Sequence, residues 1–314
     1  MSKPVVVCAA DIGHLPETQA VLEDAFDVRY VEPTEQSLAQ ELPDAEAYFA
    51  SLHVRLTAEL MALAPKLRAA ATPSTGLDHI DFDAAEERNI AVLGLKDDRT
   101  LLDRITATAE LTWTLLLACA RRIPEAVEHS RKGIWARDAL RGRQIAYKTL
   151  GILGCGRLGA IVADYGRAFR MRVIGCDRRN VQLPDVEMVS FERLLRESDI
   201  LTIHIHLTPE NRRLIGPDQF AMMKDGAVLI NTSRGAILDE EALVGALESG
   251  KLSAAGLDVI EGEWREDLSQ HPLIAYERMH PNLIITPHLG GVTYESQEMA
   301  YKAAAEKLVA FFHP

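Results

Sequence analysis

Thr149-Leu150-Gly151-Ile152-Leu153-Gly154-Cys155-Gly156-Arg157-Leu158-Gly159 is the most informative stretch of this chain. Leu150 to Leu153 is a short apolar run and reads as a buried strand. Three glycines follow, and then Ala160 to Phe169 reads as an amphipathic helix. The glycine spacing has a physical meaning. Gly154 allows a tight turn, Gly156 lets backbone N–H groups approach a pyrophosphate, and Gly159 lets the helix pack closely on the strand. The helix start then faces the phosphates with the positive end of its dipole. A second strand, Arg172 to Cys176, ends at Asp177, 18 residues past Gly159. A carboxylate there accepts hydrogen bonds from an adenosine ribose. A lone glycine motif is weak evidence, but strand, glycines, helix, strand and acid in that order predict dinucleotide binding.

Working outward, 314 residues are enough for two domains. The composition, 47% hydrophobic and 25% charged, is that of an ordinary globular protein. A formal net charge of −12 argues against a nucleic-acid partner, because phosphates would be repelled. It leaves room for an anionic substrate held in a local cationic pocket. Cys8, Cys119, Cys155 and Cys176 sit singly in apolar runs without metal-ligand spacing, as expected of reduced core thiols in a cytoplasmic protein. His204 and His206 alternate, but no third ligand has suitable spacing, so no metal site is expected. Met1 to Ala10 lacks the features of a signal peptide. The longest apolar run, around Leu115 to Ala120, is too short to span a bilayer, so no membrane partner is expected.

Strands are predicted at Pro4 to Ala10, Val28 to Val31, Ala47 to Ala50, Leu67 to Ala71 and Ile90 to Leu93, with helical stretches between them. The alternation resumes after Asp177, with strands at Ile200 to Ile205, Ala227 to Asn231, Ala254 to Leu257 and Leu283 to Ile285, and a closing helix at Tyr294 to Phe312. Repeated βα units of this length imply mostly parallel, twisted sheets, an α/β fold. Lys96 to Arg104 breaks the apolar pattern and reads as a crossover loop. Ala107 to Arg122 reads as a helix apolar on most faces, buried either inside the subunit or at a subunit interface.

Three further segments bring reactive side chains to strand ends. They are Asn231-Thr232-Ser233-Arg234-Gly235, the run from Asp258 through Glu261 to Glu263 and Trp264, and Thr286-Pro287-His288-Leu289-Gly290-Gly291. In an open parallel sheet, ligands bind beyond the carboxyl ends of the strands. A guanidinium, a carboxylate and an imidazole converging there suit hydride transfer to a 2-oxo acid. The guanidinium grips the carboxylate and polarises the carbonyl, while the imidazolium supplies the proton.

At these residues the chain resembles the NAD-dependent D-isomer-specific 2-hydroxyacid dehydrogenases, the family of D-lactate, D-glycerate and D-3-phosphoglycerate dehydrogenases. The matching segments also include Thr75-Gly76-Leu77-Asp78-His79-Ile80-Asp81, Ala109-Glu110-Leu111, Gly133-Ile134-Trp135 and His204 to Arg212. The resemblance implies two Rossmann-like, doubly wound domains. A cofactor domain, residues 103–288, would be inserted into a discontinuous substrate domain, residues 1–102 and 289–314. It implies substrate binding by Arg234, orientation of the histidine by Glu263, and acid/base work by His288. Backbone N–H groups near Thr75 and Gly76 would hold the substrate carboxylate, and Asp258 would contact the nicotinamide carboxamide. Cofactor contacts fall on Gly154, Gly156, Arg157, Leu158, Gly159, Asp177, His204, Thr232, Asp258 and His288. A homodimer through the cofactor domains is the expected assembly.

The chain departs from the family pattern in several places. Trp264 stands where Pro is usual, and His206 replaces the proline of the usual His-x-Pro-Leu-Thr. Leu95 to Arg104 is a longer connection than usual, and Ser51 to Arg55 lacks the Arg-Ser pair of phosphoglycerate dehydrogenases. With the sequence ending at Pro314, no appended regulatory domain is expected. Asp177 favours NAD over NADP, although Arg178 and Arg179 follow it and could attract a 2′-phosphate. Two rival readings remain open. One is an NAD(H)-responsive, corepressor-like binding protein, and the other a formate or phosphite dehydrogenase of the same superfamily.

Overall fold

The computed structural model describes residues 3–265 and 267–313. The chain divides into two compact units, Met1–Ile105 with Val292–Pro314, and Thr106–Gly291.

The first unit is built on five strands, β1 (Val5–Cys8), β2 (Asp27–Tyr30), β3 (Ala47–Phe49), β4 (Ala69–Ala71) and β5 (Ala91–Leu93). They lie in the order β2-β1-β3-β4-β5, and every neighbouring pair is parallel. Strands buried on both faces read as continuous apolar runs, which is why Val-Val-Val-Cys and Ala-Ala-Ala stand where alternation would mark a half-exposed sheet. The helix Tyr294–Phe312 closes this unit from the far end of the chain. Its Ala304, Ala305 and Leu308 are buried in a core shared with Phe26 and Phe49, and Phe26 and Phe312 meet edge to face at 5.4 Å.

The second unit is a seven-stranded sheet of β6 (Thr149–Leu153), β7 (Arg172–Cys176), β8 (Glu187–Met188), β9 (Ile200–Ile203), β10 (Ala227–Asn231), β11 (Leu252–Leu257) and β12 (Leu283–Ile285). Its order is β12-β11-β10-β9-β6-β7-β8, again parallel between neighbours. The order reverses direction between the paired strands β6 and β9, the switch point of an open parallel sheet, beyond whose carboxyl ends ligands bind. This α/β architecture of parallel sheets is the fold class expected above.

The helix Ala107–Arg121 packs on this sheet, with Trp113 stacked on Phe169 at 4.7 Å and Leu115 against Gly256. Its buried positions are therefore covered within its own unit. Three local features differ from the sequence reading. Lys96 to Arg104 contains a short helix, Arg99–Leu102, because the Asp98 side chain accepts the Leu101 N–H at 3.1 Å and supplies a start the apolar pattern did not reveal. The strand at Ile200 stops at Ile203, and β8 is two residues long, too short to have a periodicity.

Candidate active site

The dinucleotide half of the site grows out of β6. Gly154 has φ +96°, in the region where L side chains rarely go, and a Cβ there would lie 2.5 Å from the His204 carbonyl oxygen. A Cβ on Gly159 would lie 2.1 Å from the Gly154 carbonyl oxygen, so the helix can approach the strand only without one. The helix Arg157–Ala168 begins after Gly156, and no side chain caps its start. Its first N–H groups and its dipole are thus presented to an anion in a cradle that side chains would fill.

Asp177, at the end of β7, has a nearly buried side chain with two donors on each oxygen. Oδ1 accepts the Arg179 N–H at 2.9 Å and its Nε at 3.1 Å; Oδ2 accepts the Cys155 N–H at 2.9 Å and Arg179 Nη2 at 3.1 Å. Burial pulls this carboxyl upward. The Arg179 guanidinium and the two N–H groups outweigh it and hold it below the usual carboxylate range. Glycine cradle, open helix start and ionised carboxylate fit the pyrophosphate and adenosine ribose of a dinucleotide.

Nearby, His204 leaves the end of β9. Its Nε2 is shut off from solvent with no hydrogen-bond partner, and burial lowers its pKa to about 4, so the ring is neutral. Thr232 is held by a hydroxyl pair with Thr112 at 2.8 Å. Cys155 is buried beneath the loop, its thiol pushed up to about 12 by desolvation. Among the described residues no three His, Cys, Asp or Glu side chains cluster so as to hold a metal ion.

The second half is assembled from the ends of β10, β11 and β12. Asn231, fully buried, fixes the turn after β10. Its Oδ1 accepts from the Ser233 N–H at 3.0 Å and Oγ at 2.6 Å, and its Nδ2 donates to the Arg234 carbonyl at 2.9 Å. The Arg234 Nη1 donates to the Ser233 carbonyl at 2.8 Å. Sequence reasoning passed over Asn231. A buried amide at a strand end followed by Thr-Ser is the signal that could have found it.

Gly235 binds the turn to its neighbour. A Cβ at this position would lie 2.1 Å from the Ile260 carbonyl carbon and 2.4 Å from the Glu261 nitrogen.

Beyond β11, Asp258 is 1% exposed and acts on the turn that carries His288. Its Oδ1 accepts from Thr286 Oγ1 at 2.6 Å and the Leu289 N–H at 2.8 Å, and its Oδ2 accepts the Gly290 N–H at 2.8 Å. Burial raises this carboxyl, opposed by those donors and by the His288 charge. His288 sits in the left-handed region, φ +55°, an unusual conformation for a non-glycine residue that the Asp258 bonds hold in place.

Glu263 Oε1 meets His288 Nδ1 at 2.8 Å, and Glu263 Oε2 accepts the Ile260 N–H at 3.4 Å. A carboxylate on Nδ1 fixes the ring orientation and leaves Nε2 for proton exchange. Glu261 turns the other way. It pairs with Arg212, its N–H donates to Glu240 Oε1 at 2.7 Å, and its carbonyl contacts His271 Nε2 at 3.1 Å. Glu240 and His271 are themselves 3.3 Å apart, with Glu240 raised by burial. Trp264 stacks on the His288 ring at 5.4 Å and 27°.

Thr75 and Gly76 belong to the first unit, in the loop after β4. That loop is closed by a 3.0 Å contact between Thr72 Oγ1 and His79 Nε2. In the same unit Arg55 lies 3.9 Å from Asp81.

Comparison with known proteins shows what the whole chain is similar to. Residues 113–290 match the model of the D-isomer specific 2-hydroxyacid dehydrogenase, NAD binding domain. The chain is 39% identical to a glyoxylate reductase of Aeropyrum pernix, over 99% of this chain and 93% of that enzyme. It is 35% identical to a D-3-phosphoglycerate dehydrogenase of Methanocaldococcus jannaschii over 92% of this chain, which spans 54% of that longer relative. Among solved structures, a D-lactate dehydrogenase from Aquifex aeolicus complexed with NAD and lactic acid superposes with a TM-score of 0.87. It shares 30% identity, covering 98% of this chain and 95% of that one. The chain belongs to the family of D-isomer specific 2-hydroxyacid dehydrogenases.

Proposed function

We propose that this chain interconverts a 2-oxo acid and its D-2-hydroxy acid with NAD(H), His288 serving as the acid/base. In the reducing direction, bound NADH supplies the hydride to the carbonyl carbon. His288 Nε2 gives its proton to the carbonyl oxygen, and Glu263 on Nδ1 keeps the imidazole oriented for that transfer. Arg234 binds the substrate carboxylate and polarises the carbonyl. Gly154, Gly156, Arg157, Leu158 and Gly159 hold the pyrophosphate, and Asp177 the ribose hydroxyls, which supports NAD over NADP.

One observation carries this reading: the 2.8 Å contact between Glu263 and His288 on an otherwise strained turn. The test is a panel of 2-oxo acids assayed with NADH and NADPH, beside the variant His288→Ala. Wild-type turnover on at least one acid is expected, with a loss of roughly 10³-fold in the variant and NADH affinity kept. Full activity in the variant would remove His288 from the chemistry. Tight NADH binding without turnover on any 2-oxo acid would favour a binding protein, and turnover on formate or phosphite alone the other rival.

The proposed assembly is a homodimer. The exposed apolar side chains Ile123, Ile134 and Trp135, the last 89% exposed, support it, and light scattering of the purified chain tests it. The proposed compartment is the cytoplasm, supported by four cysteines that are all unpaired thiols.

A further inference from the structure

We infer that Trp264 is a specificity-determining residue, whose indole walls the reacting centre and restricts the enzyme to 2-oxo acids with a hydrogen or a methyl on the carbonyl carbon. The inference rests on the acid/base reading of His288. A hydrogen bond at Nε2 lies in the plane of the imidazole, so a substrate carbonyl must approach along that edge. The opposite edge is closed, because Nδ1 is taken by Glu263. The indole covers one face of the ring, with centroids 5.4 Å apart and planes tilted by 27°.

Two fused rings cannot fit over a five-membered one without overhanging it. With that overhang on the Nε2 side, a substituent on the substrate carbon that leaves the imidazole plane on this face meets it. Trp264 is 44% exposed, so the core does not account for its size. Its backbone is pinned on both sides. Glu263 before it bonds His288 and the Ile260 N–H, and Arg265 after it donates its N–H to the Gly262 carbonyl at 3.1 Å, closing the turn. The Arg265 side chain then folds back against Gly262, which has φ +76°. A bulky, half-exposed ring on a fixed turn selects by shape.

The experiment compares kcat/KM for glyoxylate, pyruvate and phenylpyruvate in the wild type, Trp264→Ala and Trp264→Leu. The phenylpyruvate-to-glyoxylate ratio should rise by about 10-fold or more in both variants, chiefly through KM, in line with what removing a steric wall is worth. Trp264→Phe, which keeps a ring, should stay nearer the wild type. The leucine variant decides the matter if the alanine variant does not fold. A ratio that moves by less than about threefold in the folded variants overturns the inference. A wild type inactive on all three acids and on the wider panel overturns the acid/base reading instead, and is seen before any Trp264 variant is made.

Discussion

The backbone N–H of His288 donates to the Asp258 carbonyl at 2.9 Å, while the Asp258 carboxylate takes the N–H groups of the next two residues. One aspartate at the end of β11 therefore dictates the path of the turn beyond β12. Asp258→Ala leaves buried N–H donors without acceptors, and should destabilise the cofactor-free protein by about 3 kcal/mol. Urea unfolding without cofactor measures this. A change below about 1 kcal/mol would mean that Asp258 does not hold the turn.

Glu261 and Glu263 are two residues apart and face opposite ways. Glu263→Gln keeps a hydrogen-bond acceptor near Nδ1 but removes the negative charge that lies 2.8 Å from it. It should cost about 10- to 100-fold in kcat/KM, with NADH affinity unchanged. Glu261→Gln should cost about threefold or less, because its partners are Arg212 and the Glu240–His271 pair. Steady-state kinetics on both variants separate the two, and equal losses would remove Glu263 as the partner.

Much of this was legible in the sequence, for identifiable reasons. Parallel sheets bury both faces, so β6, β9 and β10 appear as unbroken apolar runs, and Gly154 and Gly159 occupy positions that a Cβ would destroy. The reactive residues lay at strand ends, where α/β folds put their ligands. What was illegible depends on contacts between distant segments. Nothing in the order of residues says that Asp258 would grip Leu289 and Gly290, or that Asn231 would fold back on Ser233 and Arg234. Nor could spacing show that Arg179 would lie on Asp177, since an i, i+2 pair meets only in a turn.

Gly235 couples the arginine turn to the segment carrying Glu263. Its missing Cβ leaves room for Ile260 and Glu261, so Gly235→Ala must push two turns apart. Destabilisation of about 1–3 kcal/mol is expected, together with a fall in kcat larger than the fall in NADH affinity. Thermal unfolding and NADH fluorescence titration check it. A stable variant with wild-type kcat would show that the two turns are not coupled.

His204 gives the folded chain a definite pH dependence. Its pKa is lowered to about 4 from an ordinary 6.5, because burial disfavours the charged ring. As pH falls below 6.5 the unfolded chain takes up a proton that the folded chain refuses until pH 4, so stability is lost across that window. Between pH 7 and pH 5 this one group should cost about 2 kcal/mol, at about 1.4 kcal/mol per pH unit. Denaturation of wild type and His204→Leu at both pH values isolates the term. Equal losses in the two proteins would mean that the ring is hydrated.

Arg179 bears on the choice of dinucleotide. Both Asp177 oxygens are already engaged, each by one N–H of the Arg179 side chain and one backbone N–H. Ribose hydroxyls can bind the carboxylate only by displacing the guanidinium, which is mostly exposed and can swing outward. Displacement costs NADH some affinity, and a displaced guanidinium stands near the place where a 2′-phosphate would lie. Arg179→Ala should therefore tighten NADH about two- to fivefold and weaken NADPH by about fivefold or more, since a charge-assisted hydrogen bond to phosphate is lost. Titrating both coenzymes against wild type and variant by fluorescence decides it. Weaker NADH binding in the variant would show that Arg179 grips the dinucleotide instead of guarding its seat.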